Sequence, residues 1–166
     1  PALEDQGQII NDSNVILNYL EEKHPESSLL PTSPEARAQT RWLAEYAGAA
    51  LFPCCLSIFT ECFINPNYFK QAINQEAVDK TLTQKLPPVL NYLETQVPEK
   101  GFLLGDKLGM ADISIISMFI NAQYGDYRVD ENQWPKLAAY VTRGFSHPVV
   151  AKCIEDEKDM IKMITG

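Results

Sequence analysis

Residues 1–20 read Pro1-Ala2-Leu3-Glu4-Asp5-Gln6-Gly7-Gln8-Ile9-Ile10-Asn11-Asp12-Ser13-Asn14-Val15-Ile16-Leu17-Asn18-Tyr19-Leu20, and this stretch decides the fold. Ala2-Leu3-Glu4 and Gln8-Ile9-Ile10 are short strands joined by the turn-forming Asp5-Gln6-Gly7, so a small hairpin is expected over residues 2–10. Asn11-Asp12-Ser13 supplies capping chemistry for a helix, whose apolar positions Val15, Ile16, Tyr19 and Leu20 follow helical spacing. His24-Pro25 ends that helix, because a residue before proline is pushed out of the helical region. Two strands and one helix do not make an independent fold, since a lone hairpin is marginal in water.

Beyond it the pattern turns helical. Residues 25–34, Pro-Glu-Ser-Ser-Leu-Leu-Pro-Thr-Ser-Pro, are rich in Ser and Pro and form the one plausible domain linker. Ser33-Pro34 opens a long helix, with Ser as cap and Pro at the first helical position. Ala38, Trp42, Leu43, Tyr46, Ala47 and Ala50 give it a broad apolar stripe reaching to about residue 64. Pro53 is expected to kink it, and Asn65-Pro66-Asn67 to end it. A second long helix is expected over about residues 75–95, with Val78, Leu82, Leu86, Val89, Leu90 and Leu93 on its buried face and Pro87-Pro88 as an interruption. Three more follow at about 110–123, 135–145 and 148–163, the last two opened by Trp134-Pro135 and His147-Pro148.

Composition narrows the function. The chain has 166 residues, 45% of them hydrophobic, and a formal charge of −8. That is a core-forming composition, and the charge argues against a nucleic-acid surface, which needs clustered Lys and Arg. The stretch 113–120 is too short to span a bilayer, and the first residues carry neither a basic nor an apolar export region, so no membrane partner is expected. The missing initiator Met points to processing or truncation. Cys54, Cys55, Cys62 and Cys153 form no Cys-x-x-Cys pair and have no nearby His, so no metal site is expected. They read as buried thiols of a reducing compartment, with a redox role for the vicinal Cys54-Cys55 pair as the other reading. His24 and His147 have no nucleophile or carboxylate at triad spacing and read as structural. The run Glu155-Asp156-Glu157, moderated by Lys158 and Lys162, reads as a solvated face.

Two motifs carry a resemblance. The opening stretch resembles the third and fourth strands and third helix of the glutathione transferase family: Pro-x-Leu, a short turn, an acidic residue or Gln followed by Ser, then an apolar residue and Tyr-Leu. Gly105-Asp106-Lys107-Leu108-Gly109-Met110-Ala111-Asp112 resembles the capping-box motif of the same family's sixth helix, with Gly109 where Ser or Thr is usual. A glycine cap forgoes the side-chain hydrogen bond at a cost of only a few tenths of about 1 kcal/mol. The resemblance covers essentially the whole chain in order.

It implies a mainly α protein: an all-helical C-terminal domain over residues 34–166, a linker over 26–33, and a partial thioredoxin-like β-β-α segment over 1–25. It also implies about 50–80 residues ahead of Pro1, half a typical domain, which would carry the family's catalytic Tyr, Ser or Cys. No catalytic residue is therefore expected in this chain, and the 166 residues alone are expected to be inactive. The co-substrate implied is glutathione, with no other cofactor, and the second substrate a small hydrophobic electrophile. The glutathione-binding residues implied are Pro1, Asp12 and Ser13. Pro1 would follow a cis bond, which lies outside the sequence. A helix N-terminus is a natural seat for the γ-glutamyl carboxylate, with the Ser13 hydroxyl adding a hydrogen bond and Asp12 receiving the ammonium. Asp-Ser as a plain helix cap is the competing reading.

The electrophile pocket implied is lined by Tyr46, Ala49, Ala50, Phe52 and Pro53, against the alternative of ordinary core packing. The resemblance further implies a cytoplasmic homodimer. The rival function is a non-catalytic module of the same fold used for protein–protein assembly.

Overall fold

The computed structural model describes residues 1–165. Strands β1 (Ala2–Asp5) and β2 (Gln8–Asn11) pair antiparallel, with Leu3 opposite Ile10 and Asp5 opposite Gln8. Gln6 and Gly7 between them take φ of 51° and 81°, the two positive values that let a two-residue turn match the twist of its strands. Helix α1 (Ser13–Lys23) follows. Asp5 ties it to the hairpin by accepting from the Tyr19 hydroxyl at 2.6 Å and from Lys23. Those two donors, Lys23 foremost, hold the Asp5 carboxyl below its usual range. Ile16 and Tyr19 are half-buried, but Val15 and Leu20 face solvent, so only half of the expected apolar stripe is covered.

A single 3-10 turn (Pro25–Ser27) leads into the linker. The linker is anchored at both sides. Glu21 of α1 accepts from the Ser28 hydroxyl at 2.5 Å and the Leu29 N–H at 2.7 Å, and the Leu29 carbonyl accepts from the Met110 N–H at 3.0 Å.

Among the described residues five helices then pack together: α2 (Pro34–Asn67), α3 (residues 75–96), α4 (Met110–Tyr124), α5 (Pro135–Ser146) and α6 (Pro148–Thr165). Ser33 caps α2 by accepting from the Ala36 N–H, and Asn74 caps α3 through Ala77. The shared core is built from Leu43, Leu51, Cys55 and Ile58 of α2, Leu86, Leu90 and Leu93 of α3, Ile115, Ile116 and Phe119 of α4, and Leu137 and Tyr140 of α5. Gly144 lets α5 lie against α4, since a Cβ there would sit 2.4 Å from Ile116 Cδ1. By length and composition α2 could cross a membrane. Its apolar side is used inside the protein, where Leu43, Ala47, Leu51, Cys55 and Ile58 are all but inaccessible.

The prolines correct the sequence reading. α2 ends at Asn67, inside the expected Asn65-Pro66-Asn67 break though past its proline, and α3 runs unbroken through Pro87-Pro88. Each proline is met by the same device. A five-residue π turn, Ala47–Leu51, Thr60–Ile64 or Thr81–Lys85, ends two residues before Pro53, Pro66 or Pro87. The residue just ahead of each proline donates its N–H five residues back: Phe52 to Ala47, Asn65 to Thr60, Leu86 to Thr81. In a regular α-helix a proline ring collides with the carbonyl four residues behind it. A wider turn moves that carbonyl aside and the helix goes on.

The extra residue also shifts the helix phase, by about 100° per residue. Thr81 is fully buried where Leu82 was expected, its hydroxyl 3.2 Å from that of Ser57, and Leu82 is exposed. Trp42 is likewise exposed, against its place in the expected stripe.

Asp112 is the buried charge that closes the fold. It has no solvent exposure. Its Oδ2 accepts from the Gly109 N–H at 2.9 Å, and its Oδ1 accepts from the Leu103 N–H at 2.9 Å and the Tyr140 hydroxyl at 2.6 Å. Gly105, with φ of 97°, closes the preceding loop onto Phe102. Gly109 is extended and could hold a side chain by its backbone angles. A Cβ there would lie 2.9 Å from Leu104 Cδ1 and 3.2 Å from the Leu29 carbonyl oxygen, so glycine admits the linker that the Met110 N–H binds.

Replacing Asp112 by Ala strands three donors, two of them backbone. Urea unfolding is expected to show a loss of about 3 kcal/mol or more; a loss below about 1 kcal/mol would contradict this role.

Candidate functional site

The start of α1 is where the backbone is held out of its ordinary range. Asp12 has φ 75° and ψ 134°, a conformation that costs a non-glycine residue on the order of 1–3 kcal/mol. It is held there from both sides. The Asp12 N–H donates to the Pro1 carbonyl at 3.3 Å, extending the hairpin by one rung. Its Oδ1 caps α1, accepting from the Asn14 N–H at 2.9 Å and the Val15 N–H at 3.3 Å. Ser13 is the first helical residue, exposed, and neither its N–H nor its hydroxyl has a partner among the described residues. Asp12 therefore does the capping, through one oxygen, and Ser13 is left with two donors at the positive end of the helix.

α1 meets α2 directly beside this point. Asn14 Nδ2 donates to Glu45 Oε2 at 3.4 Å, and Arg41 Nη2 donates to Asn18 Oδ1 at 3.3 Å. A recess of about 120 Å³ lies between them, lined by Asn14, Asn18, Arg41, Ala44, Glu45 and Met110. Glu45 and Asn14 were not singled out in the sequence. The spacing of Arg41 and Glu45, one helical turn apart, was the available signal.

Of the residues proposed for the electrophile pocket, Ala49, Phe52 and Pro53 are exposed, and Ala50 is half-buried. Arg41, Glu45, Ala49, Phe52 and Leu56 are all exposed along α2. Tyr46 is placed elsewhere. Its ring lies 4.5 Å from that of Tyr92 on α3 and 6.0 Å from that of Trp42, whose indole N–H donates to the Tyr92 hydroxyl at 2.7 Å. Burial, then Tyr92, pushes the Tyr46 hydroxyl above its usual range, so it stays protonated at neutral pH. Pro1 is exposed at the foot of β1.

A larger groove, about 750 Å³, runs between residues 26–32 and the starts of α4 and α6 and includes His147 and Ile113. None of Asp12, Ser13, Phe52 or Pro53 lines it. Among the described residues His147 Nδ1 is buried there without a partner, and His24 Nδ1 lies 3.4 Å from Glu26.

The thiols sort by depth. Cys54 and Cys55 are buried, Cys62 is half-buried and Cys153 is exposed. Burial pushes the Cys55 thiol up to about 12, and raises Cys54 and Cys62 as well. None of these three is a thiolate at neutral pH. In the acidic run, Glu155 and Asp156 pair with Lys158 and Lys152, while Glu157 accepts from the Tyr124 hydroxyl at 2.9 Å. That bond pins α6 to α4.

A hairpin, one helix with an open N-terminus and a five-helix body define the class of fold found in glutathione transferases. The family model for the glutathione S-transferase C-terminal domain matches residues 59–157, and that for the N-terminal domain matches residues 1–28. The chain belongs to the glutathione S-transferase family. Maleylacetoacetate isomerase of Pseudomonas aeruginosa is 26% identical over 157 residues, covering 89% of this chain and 67% of that one. Glutathione S-transferase U19 of Arabidopsis thaliana is 24% identical over 173 residues, covering 99% and 71%. Among solved structures, human glutathione S-transferase T1-1 in its apo form superposes with a TM-score of 0.80 at 24% identity, over 99% of this chain and 69% of that one. Glutathione S-transferase-I bound with lactoylglutathione gives 0.79 at 24% identity, over 93% and 73%. These two likenesses establish the fold. The chain spans about two thirds to seven tenths of the length of the curated relatives it matches.

The buried thiol fixes a pH response. Its folded-state pKa lies above the unfolded value, so the stability it contributes is complete below about pH 9 and is lost as pH rises toward about 12. Tyr124, pushed up to about 12 by burial and Glu157, adds to the loss from about pH 10. Unfolding free energy from urea titrations is expected to stay level between pH 7 and 8.5 and then fall. Each proton contributes a slope of up to about 1.4 kcal/mol per pH unit. A stability that rises through pH 10 would contradict the buried placement.

Proposed function

We propose that this chain supplies the acid-end seat for glutathione, and the helical half of the acceptor cleft, in a glutathione transferase. The observation that carries the reading is Ser13: an exposed hydroxyl and a free N–H at the N-terminus of α1, with the capping duty taken over by a strained Asp12. A carboxylate placed there gains two donors and the positive end of the helix. Asn14 donates its N–H to Asp12 and its Nδ2 to Glu45, and in this reading those two carboxylates receive an ammonium. Glutathione carries both groups at its γ-glutamyl end. The relatives support the class of co-substrate, since transferase and isomerase names occur among them and two neighbours in structure are glutathione transferases.

In this reading residues 1–25 are the glutathione-facing segment, 26–33 the linker and 34–166 the helical domain. Ala49, Phe52 and Pro53 face the acceptor, a hydrophobic electrophile whose carbon is attacked by the glutathione thiolate with departure of its leaving group. Lowering a thiol pKa requires a donor aimed at the sulfur. Pro1, Asp12 and Ser13 serve the tripeptide's backbone and acid end and leave the sulfur unattended, so the 166-residue chain alone does not conjugate. The native assembly in this reading is a cytoplasmic homodimer.

Ser13→Ala separates ligand binding from helix capping, because the cap is Asp12. Calorimetric titration is expected to show glutathione affinity falling about tenfold, as a lost hydrogen bond to a charged group implies, with the thermal midpoint unchanged. Equal affinity in the two proteins would overturn the reading.

A further inference from the structure

The π turn ahead of Pro53 leaves a backbone acceptor open on α2, in the turn that follows Glu45. The Phe52 N–H donates to the Ala47 carbonyl, five residues back. The next carbonyl along is that of Gly48. Its α-helical donor would be the Phe52 N–H, which is taken, and its π-helical donor would be residue 53, a proline with no N–H. The same arithmetic opens the Glu61 carbonyl ahead of Pro66 and the Leu82 carbonyl ahead of Pro87. Gly48 differs from both in having no side chain. It is exposed, and a Cβ built on it would meet nothing within 4 Å. It lies one turn beyond Glu45, which holds Asn14 of α1, and one turn before Phe52, a residue 38% exposed.

We propose that the Gly48 carbonyl is an acceptor subsite for the second substrate, with Phe52 as its apolar wall and Pro53 as the positioning residue that keeps it open. The ligand class is an aromatic molecule bearing an N–H or O–H donor next to its ring, such as an aryl amide or a phenol. This deepens the transferase reading and rests on it for the identity of the cleft. An unpaired carbonyl in a helix is a preset acceptor. It costs nothing to expose on binding, and it discriminates against ligands that present only apolar surface there. Pro53 acts through Gly48 and touches the ligand only as a flank.

The test uses the 166-residue chain carrying carbonyl-13C glycine, titrated in parallel with benzamide, N,N-dimethylbenzamide and glutathione. Benzamide is expected to shift the Gly48 carbonyl resonance and to bind about threefold to tenfold more tightly than the dimethyl amide, which has no donor, as one hydrogen bond implies. In Pro53→Ala a new N–H pairs within the helix, and the preference for benzamide disappears while the fold is retained. No Gly48 shift, equal shifts with both amides, or a preference that survives Pro53→Ala would each overturn the subsite. A Gly48 response to benzamide with no response of the α1 amides to glutathione would uphold the acceptor and overturn the transferase reading instead.

Discussion

The buried carboxylate of Asp112 is the constraint on which the rest depends. A charge with no solvent exposure is tolerated only where its lone pairs are filled, and here three donors from three parts of the chain fill them. One begins α4, one fixes the loop before it and one comes from α5. Once α4 begins at Met110, its first N–H holds the Leu29 carbonyl, and the linker is set. Glu21 then holds the linker to α1. The position of Ser13 is therefore fixed through a chain of polar contacts that starts in the middle of the helical domain.

That chain explains why a short hairpin and one helix stand in a defined place. α1 buries no residue completely, so apolar packing alone would hold it weakly. Its register comes from directional contacts: Asp5 with Tyr19 and Lys23, Asn14 with Glu45, Asn18 with Arg41 and Glu21 with the linker. Most are exposed and individually worth little. Together they select one orientation, and strain at Asp12 is sustained because the hairpin and the cap both require it.

Much of this was legible in the sequence. The hairpin, the caps at Asp12 and Ser33, and the starts of α5 and α6 are local events, written in Gly, Pro, Ser and Asp. The depth of the glycine-capped motif was less so: Asp112 was read as a cap, and its bonds to Leu103 and Tyr140 depend on tertiary packing. The phase of the long helices was misread at the prolines. Counting by 3.6 residues puts Leu82 inside and Thr81 outside, and a π turn reverses them. A kink was expected at Pro53 because the usual remedy for a mid-helix proline is a bend. The structure shows a widened turn ahead of that proline, and nothing in residue type alone announces it. Of the candidate site, the helix start at Asp12 and Ser13 was legible from local capping chemistry. Glu45 was not, because its partner lies 31 positions away, and the packing of the Tyr46 ring on Tyr92 of α3 depends on tertiary structure.

Backbone amide spectra recorded while glutathione is added to the 166-residue chain test the central claim most directly. If the tripeptide's acid end sits on α1, the amides of Ser13 and Asn14 move first and furthest, with Glu45 next and the groove around His147 unmoved. Saturable shifts confined to that groove, with Ser13 and Asn14 stationary, would contradict the account.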